Sequence, residues 1–273
     1  TFMAMVHDGR ACSLPGQVPK VYTNMDQAIA YCRAKGPGWH CMTNAEYAAI
    51  ALWCKANGYY PRGNNNYGSD HGYPHEKCRP GTVGSDGRIN LGLTGSGPNS
   101  WTHDGTPNGI YGLNGDGWEW AIGLRTNNGE IQILTGNNAA KNTADLTAGS
   151  AEWKAILPDG TLVAPGTAGT LKIDIVSGVP KISTTVKTTT SSDQWPSTPF
   201  KDLAVESGIT IPDILKALAV FPSDNSDHGG DRFYAKNDGE KCFFRGGYWG
   251  YTSFAGVFSL GGLYPRSYSS DGV

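Results

Sequence analysis

Residues 115–134 read GDGWEWAIGLRTNNGEIQIL, and the segment 118–134 has the pattern of a β-hairpin. Two runs rich in apolar residues flank Asn127-Asn128-Gly129. An Asn-Gly step favours the tight turn of a hairpin, because both residues tolerate positive φ angles. We therefore predict two antiparallel strands here. Since helices are predicted before this hairpin and short strands after it, the sequence indicates a loop-rich α+β protein.

Two helices are predicted upstream, over residues 22–35 and 43–57. Apolar residues recur in both segments with the period of a helix, and glycines follow each of them. Both segments begin with side chains that can accept the first free backbone N–H groups. These caps are Thr23 or Asn24 for the first helix, and Thr43 with Glu46 for the second.

Long irregular stretches surround these elements. Residues 59–116 are rich in glycine and asparagine, a composition typical of loops that are functional or tied down by aromatic side chains. Residues 136–230 form a predicted β-rich insertion, where β-branched residues alternate with Gly/Pro turns. One more short helix is predicted at 214–220, with Pro212 near its first turn.

The composition excludes several classes of protein. The 273 residues carry 22 Lys and Arg against 24 Asp and Glu, a net charge of -2. This balance gives no electrostatic footprint for nucleic acid or for an anionic membrane surface. No apolar run is long enough to span a bilayer, so we expect no membrane insertion. The chain starts at Thr1 without a signal-peptide pattern, and we expect it to be a fragment of a longer protein.

The six cysteines show no C-x-x-C pair, which gives zinc or thioredoxin-like readings little support. Their even number permits three disulfides, but the sequence does not fix a pairing. Reduced, buried thiols that behave as small apolar side chains are the favoured interpretation, and the cellular compartment stays open. The six are Cys12, Cys32, Cys41, Cys54, Cys78 and Cys242.

Three segments resemble the formylglycine-generating-enzyme type of the C-type lectin fold. Residues 43–47, Thr-Asn-Ala-Glu-Tyr, are similar to the start of that family's second helix. Residues 115–120, Gly-Asp-Gly-Trp-Glu-Trp, resemble its G-N-x-W-E-W motif, with Asp116 in the place of the Asn. Residues 245–249, Arg-Gly-Gly-Tyr-Trp, are similar to its R-G-G-x-W motif, and Pro265-Arg266-Ser267 follows further on.

Within that superfamily, residues 245–273 resemble the variable proteins of diversity-generating retroelements. In that group a fixed framework alternates with positions that adenine-directed mutagenesis changes. Every residue at the corresponding places of this chain belongs to the set that such mutagenesis can reach. The resemblance therefore implies twelve ligand-binding positions: Tyr248, Gly250, Tyr251, Thr252, Phe254, Gly261, Gly262, Leu263, Tyr264, Tyr268, Ser270 and Gly272.

The resemblance also implies an architecture and a role. It implies one C-type-lectin-like domain over 1–273, with a first half (1–135), the insertion (136–230) and a variable ligand-binding segment (231–273). The expected role is non-catalytic: the receptor-binding tip of a phage tail fibre on the virion, recognising a protein or glycan of a bacterial surface. Such tips are commonly homotrimers. A variable protein of the bacterial cell surface and a carbohydrate-binding module with a fixed ligand are the alternatives.

Residues 245–273, which we call the tail, contain residue types that favour binding independently of the resemblance. Tyrosine offers a large rigid face with a polar tip, while glycine and serine leave room around it, and this mixture is typical of antibody paratopes. The alternative is a tyrosine-rich core strand. Among the framework residues, Trp249, Val257, Phe258 and Leu260 are the better core candidates, because they are consistently apolar.

Catalysis is the rival of a different class. An oxygen-dependent enzyme of this fold would need two cysteines in the tail to bind copper, and residues 246–273 contain none. Asp116 and Glu119 could form an acid/base pair. The favoured interpretation instead places Glu119 between Trp118 and Trp120, bonded to backbone at the centre of the fold.

Two groups of metal-capable residues remain. His71, His75, Glu76 and Cys78 form the densest cluster, although loop histidines are more often solvated than ligating. We expect no bound cofactor. Calcium is the alternative to this expectation, since lectin-type folds often hold it. Its loop oxygens would come from Asn64, Asn65, Asp70, Asn114 and Asp116. His40 is expected to be structural and His228 to lie in a surface loop.

Overall fold

The computed structural model describes residues 2–269. Both predicted helices are confirmed together with their caps. The Asn24 side chain accepts the N–H of Gln27, whose own side chain accepts the N–H of Asn24, and Thr43 and Glu46 make the same reciprocal pair. The α-helices of the described range are α1 (Met25–Arg33), α2 (Asn44–Ala56) and the short α3 (Asp213–Ala217).

Strands outnumber helices. The chain is an α+β protein in which three helices accompany one large mixed sheet and two separate hairpins, β1–β2 and β3–β4, within residues 2–269. The strands are β1 (Met5–His7), β2 (Arg10–Cys12), β3 (Pro80–Val83), β4 (Ile89–Gly92), β5 (Glu119–Asn127), β6 (Glu130–Leu134), β7 (Trp153–Ile156), β8 (Leu162–Val163), β9 (Lys172–Val176), β10 (Val179–Ser183), β11 (Ser197–Pro199), β12 (Ala204–Val205), β13 (Arg232–Ala235), β14 (Glu240–Gly246) and β15 (Gly256–Tyr264).

The predicted hairpin forms the centre of the large sheet. β5 and β6 pair in antiparallel fashion with Asn127 opposite Glu130. Asn128 and Gly129 form the turn with φ angles of 47° and 80°, the positive values that a tight hairpin turn requires. The order of strands is β11-β13-β15-β14-β5-β6-β9-β10-β12, and β7 and β8 join through β6. Most neighbours are antiparallel as expected, but β13–β15 and β10–β12 are parallel.

The predicted insertion is an integral part of this sheet. Residues 136–230 supply β7 to β12, and two of these strands, β11 and β12, end the strand order on its two sides. The first half of the chain supplies β5 and β6, and the last part supplies β13, β14 and β15. All three segments therefore build one continuous structure around the central hairpin.

Two apolar cores lie against the sheet. Helices α2 and α3 pack on the first core, which contains Leu124, Phe243 and Phe258. Helix α1 packs on the second core, which contains Trp120 and Phe244. Because side chains of a strand alternate between faces, the neighbours Phe243 and Phe244 enter different cores.

A buried arginine joins the sheet to the helices on the first core. Arg245, at the end of β14, donates to the side chain of Asn44 at the start of α2 and to the carbonyls of Leu218 and Ala219 just after α3. Its side chain is fully buried, and burial lowers its pKa to about 10. The arginine of the Arg-Gly-Gly segment therefore fixes the place where the tail begins.

Several predictions about single residues are settled by burial. All six cysteines are free thiols, and four of them are buried. The expectation that His228 lies in a surface loop is wrong, because its ring is fully buried between Phe200 and Phe258. Val257, Phe258 and Leu260 are buried as predicted, but Trp249 is half-exposed. In residues 2–269, none of the helices has both the length and the apolar character that crossing a bilayer requires.

Candidate functional site

Four of the predicted ligand-binding residues are tyrosines that pack against the second core, and a fifth, the exposed Phe254, lies in the same loop as two of them. We call these five the tyrosine surface: Tyr248, Tyr251, Phe254, Tyr264 and Tyr268. The four tyrosines are half-buried, and Phe254 is 42% exposed. The tyrosines pack against buried aromatic residues, and each ring therefore has one supported face.

The first part of this surface comes from the loop between β14 and β15. The rings of Tyr248 and Tyr251 meet edge to face with centroids 4.2 Å apart. Tyr251 in turn contacts Trp118 and Tyr234, each at 5.6 Å. Such contacts hold aromatic side chains in one orientation before any ligand arrives.

The second part comes from the turn after β15. Tyr264 and Tyr268 stack with their centroids 3.5 Å apart and their planes 2° from parallel. Phe244 lies 5.7 Å from Tyr264 and 4.7 Å from Trp118. These two buried rings connect the two parts of the tyrosine surface into one row.

Arg266 fixes the turn that carries Tyr268. Its guanidinium binds Glu240 through two nitrogens, contacts Asp26 at 2.9 Å and donates to the carbonyl of Leu146. The backbone of the turn is held as well, because Tyr268 donates its N–H to Pro265. Arg266 of the Pro-Arg-Ser segment therefore anchors the turn and keeps the half-buried Tyr268 in place.

The Gly/Asn-rich loop of residues 59–116 supports the other part of the surface. Tyr67 donates its N–H to the carbonyl of Trp249, Trp249 donates to Asp116, and Thr252 donates to Asn65. Thr252 has a φ of 52°, which is strained for a β-branched residue and persists because these contacts impose it. The long loop thus holds Gly250 and Thr252 in a fixed backbone.

Three predicted positions are buried inside the sheet. A Cβ on Gly261 would lie 2.3 Å from the ring of Phe244, and one on Gly262 would lie 2.5 Å from Phe243. Leu263 is 4% exposed and belongs to the second core. The structure corrects their assignment to a ligand-facing surface: the glycines are there because neighbouring aromatic rings fill their space. Ser270 and Gly272 lie outside the described residues.

The structure adds residues to this surface that the sequence did not indicate. Trp195, in the predicted insertion, is 55% exposed and lies 5.8 Å from Tyr264. The ammonium of Lys236 lies 4.4 Å above its ring, and Arg232 lies 4.6 Å from the ring of Phe254. Trp195 stands alone in a Ser/Thr-rich stretch, and no local pattern links it to the tail.

The residues considered for calcium do not fit the ion. Each of these side chains already accepts at least one N–H: Asn64 Oδ1 from Gly68, Asn65 Oδ1 from His71, and Asp70 from Gly63, Gly72 and Tyr73. Asp116 Oδ1 accepts from Asn64 and Gly92, and burial raises its pKa to about 6. Asn114 bonds Asn65 and Pro61. These side chains bond to one another and to backbone groups in one polar network.

The histidine-rich segment does not converge on a metal site either. Glu76 binds Arg62, Ser100 and Trp101, while the Cys78 thiol is buried and donates to Gly68. Among residues 2–269 no three His, Cys, Asp or Glu side chains come together as a metal would require. His40 pairs with Glu46 at 2.9 Å, in agreement with a structural role.

Glu119 differs from its expected setting. It lies between Trp118 and Trp120 in sequence, but its carboxyl forms no hydrogen bond with any described residue and faces a cavity instead. Burial, together with the charge of Asp116, raises the pKa of Glu119 to about 8. The favoured interpretation, a carboxylate bonded to backbone, is therefore wrong for Glu119, although it describes Asp116.

Comparison with known proteins gives no independent guide to this site. No protein-family model matches the chain, and no curated protein matches its sequence.

Proposed function

We propose that this chain is a non-catalytic binding protein whose tyrosine surface recognises a protein or glycan on a bacterial surface. The observation that carries the proposal is the row of supported, half-exposed aromatic rings from Tyr248 to Tyr268. Aromatic side chains that are already oriented lose little conformational entropy when a ligand binds. Such rings are also the residue type that most often dominates the binding energy of an interface.

The proposal extends to the fold and the biological setting. The motifs around residues 43–47, 115–120 and 245–249 favour a C-type lectin fold of the formylglycine-generating-enzyme type. The tail motif favours a variable protein of a diversity-generating retroelement, at the tip of a phage tail fibre or, alternatively, on a bacterial cell surface. In this proposal Tyr248, Gly250, Tyr251, Thr252, Phe254, Tyr264 and Tyr268 carry specificity, and the buried Gly261, Gly262 and Leu263 do not.

Several copies of the surface would strengthen a weak contact. If the chain assembles as the homotrimer that such tips form, three linked sites raise the effective affinity without any new contact. Light scattering on the purified protein measures this directly. A monomer would restrict the proposal to a single-site binder.

A genome search tests the diversification. A near-identical copy of the coding segment for 245–273 is expected near the gene, with a reverse transcriptase gene beside it. The two copies should differ where one of them carries adenine. Absence of both the copied segment and the reverse transcriptase gene would reject the variable-protein proposal and leave a binding module with a fixed ligand.

A binding assay tests the surface itself. The labelled chain is incubated with intact cells of the bacterium that carries the gene or hosts its phage. Binding of the wild-type chain and its loss in a Tyr264→Ser/Tyr268→Ser variant are expected. Glu152→Gln, an exposed change at a carboxylate that accepts the N–H of Asp145 and no group of the tyrosine surface, should bind as the wild type does. Equal binding by all three chains would show that the ligand contacts another surface.

A further inference from the structure

The second feature of the molecule that could receive a ligand is a cavity of about 340 Å³, a size within the range of small-molecule sites. The N-terminal hairpin β1–β2, helix α1, the start of α2 and the beginning of β5 line it. Its walls are mostly apolar, and none of the ten predicted ligand-binding residues that lie within 2–269 lines it. The apolar side chains include Met3, Val6, Ala28, Met42 and Trp120.

One carboxyl group in this cavity has no hydrogen-bond or ion-pair partner among residues 2–269. Glu119 accepts no hydrogen bond and forms no ion pair with a described residue, whereas polar side chains around it have hydrogen-bond partners. Tyr47 donates its hydroxyl to the carbonyl of Leu113, and His40 binds Glu46. A carboxyl in apolar surroundings without a donor is costly when ionised, and this cost is removed by a cation or by a proton.

The charges around the cavity do not supply that cation. Lys20 and Lys35 line the cavity, but neither forms an ion pair with Glu119. Lys35 instead lies 3.5 Å above the ring of Trp39, and Arg245, which lies 5.6 Å from the ring of Tyr47, is bound to Asn44. Asp116 adds a second negative charge near Glu119 and raises its pKa. The remaining titratable groups of the lining are Tyr31, Cys32, Cys41 and Glu46.

We propose that this cavity binds a small primary amine with an aromatic or aliphatic body. The Glu119 carboxylate would hold the ammonium group, and the apolar walls would take up the body. This inference does not depend on the proposed function of the tyrosine surface, because the two sites share no residue.

The proposal has a measurable proton balance. Without ligand, Glu119 holds a proton below its pKa of about 8. An amine of the lysine type is charged in the same range, because its ordinary pKa is about 10.4. When the ammonium binds, the Glu119 carboxyl loses its proton to solvent, so near neutral pH close to one proton is released for each amine bound. Affinity should rise with pH until the amine itself loses its charge.

Titration calorimetry on the full chain tests this inference. Phenethylamine is the probe, and phenethyl alcohol is its uncharged counterpart of nearly equal shape. Near neutral pH, measurements in two buffers of different ionisation enthalpy give the number of protons released. We expect phenethylamine to bind at least about tenfold more tightly than the alcohol and to release protons.

Two variants separate the role of Glu119 from the shape of the cavity. Glu119→Gln keeps the size of the side chain, and it should weaken amine binding at least about tenfold and abolish proton release. Glu152→Gln is the matched control and should change neither. Equal binding of amine and alcohol, unchanged binding by Glu119→Gln, or no amine binding up to about 10 mM would each overturn the proposal.

Discussion

Phe254 and Phe258 are four residues apart in the tail and have opposite surroundings. Phe254 is 42% exposed on the tyrosine surface, whereas Phe258 is 1% exposed in the first core. Phe258→Ala should therefore cost about 3–5 kcal/mol of unfolding free energy, as expected for a buried aromatic ring. Phe254→Ala should cost less than about 1 kcal/mol and still weaken ligand binding. Urea unfolding of both variants measures the difference, and equal losses would mean that Phe254 is a core residue.

Gly261 and Gly250 provide a second matched pair. A methyl group at Gly261 would meet the ring of Phe244 at 2.3 Å, whereas at Gly250 it would meet the hydroxyl end of Tyr67 at 3.0 Å. We expect Gly261→Ala to destabilise the fold by about 1–3 kcal/mol, because Phe244 and the tyrosines beyond it must move. Gly250→Ala should be nearly neutral. Thermal unfolding tests this pair, and a harmless Gly261→Ala would restore position 261 to the variable set.

Glu119 should make stability depend on pH in an unusual direction. Its pKa is raised from the ordinary 4.5 to about 8, so the folded state binds the proton more tightly than the unfolded state. Stability is therefore lost as the pH rises from about 4.5 through about 8. Glu119→Gln should raise the melting temperature relative to wild type at about pH 9 and have little effect at about pH 4.5. An equal shift at both pH values would contradict the titration.

Among the elements, the loop of residues 59–116 acts as a scaffold although it has little regular structure. Asn65 accepts the N–H of Thr252 through its carbonyl, and its buried side chain bonds Asp70, Asn114 and His71. The loop therefore depends on side-chain bonds where a sheet would use backbone pairs. A few backbone hydrogen bonds from this loop fix the conformation of the segment around Trp249 and Thr252.

Removal of the Asn65 side chain tests this support. Asn65→Ala leaves buried polar groups without partners, and we expect a loss of about 1–3 kcal/mol. The amides of Trp249 and Thr252 should then exchange with solvent faster, while those in β5 stay protected. Asn66→Ala changes a half-buried neighbour whose side chain forms no hydrogen bond with residues 2–269, and it serves as the control. Unchanged exchange at Thr252 would show that the loop between β14 and β15 keeps its conformation without the support of Asn65.

The elements also show what the sequence could predict. The two helices and the hairpin were predictable because their signals are local, such as the pairs Asn24–Gln27 and Thr43–Glu46 or the Asn-Gly turn. The parallel pairing of β13 with β15 was not, since it joins distant segments and leaves no local trace. The tyrosines were predicted from the motif of residues 245–273, and their residue type supported the prediction. Gly261 and Gly262 were misplaced because a motif gives positions but not the neighbours that fill the space beside them.

For the whole molecule, the strand order makes a prediction about cooperativity. Residues 136–230 supply β11 and β12, the strands that end the sheet on its two sides, and β9 extends the central hairpin. No segment can leave without exposing the pairing groups of another. We therefore expect a single calorimetric transition for the full chain, with equal calorimetric and van't Hoff enthalpies.

Limited proteolysis completes this test, because a separately folded insertion would survive as a fragment. Cleavage is expected first at exposed turns such as 165–169 and 191–195, without release of a stable piece of either half. Two calorimetric transitions, or a protease-resistant fragment of residues 136–230, would show that the insertion is an independent unit. Because Trp195 would then be able to move relative to Tyr264, the aromatic row would lose the rigidity on which the proposed binding function rests.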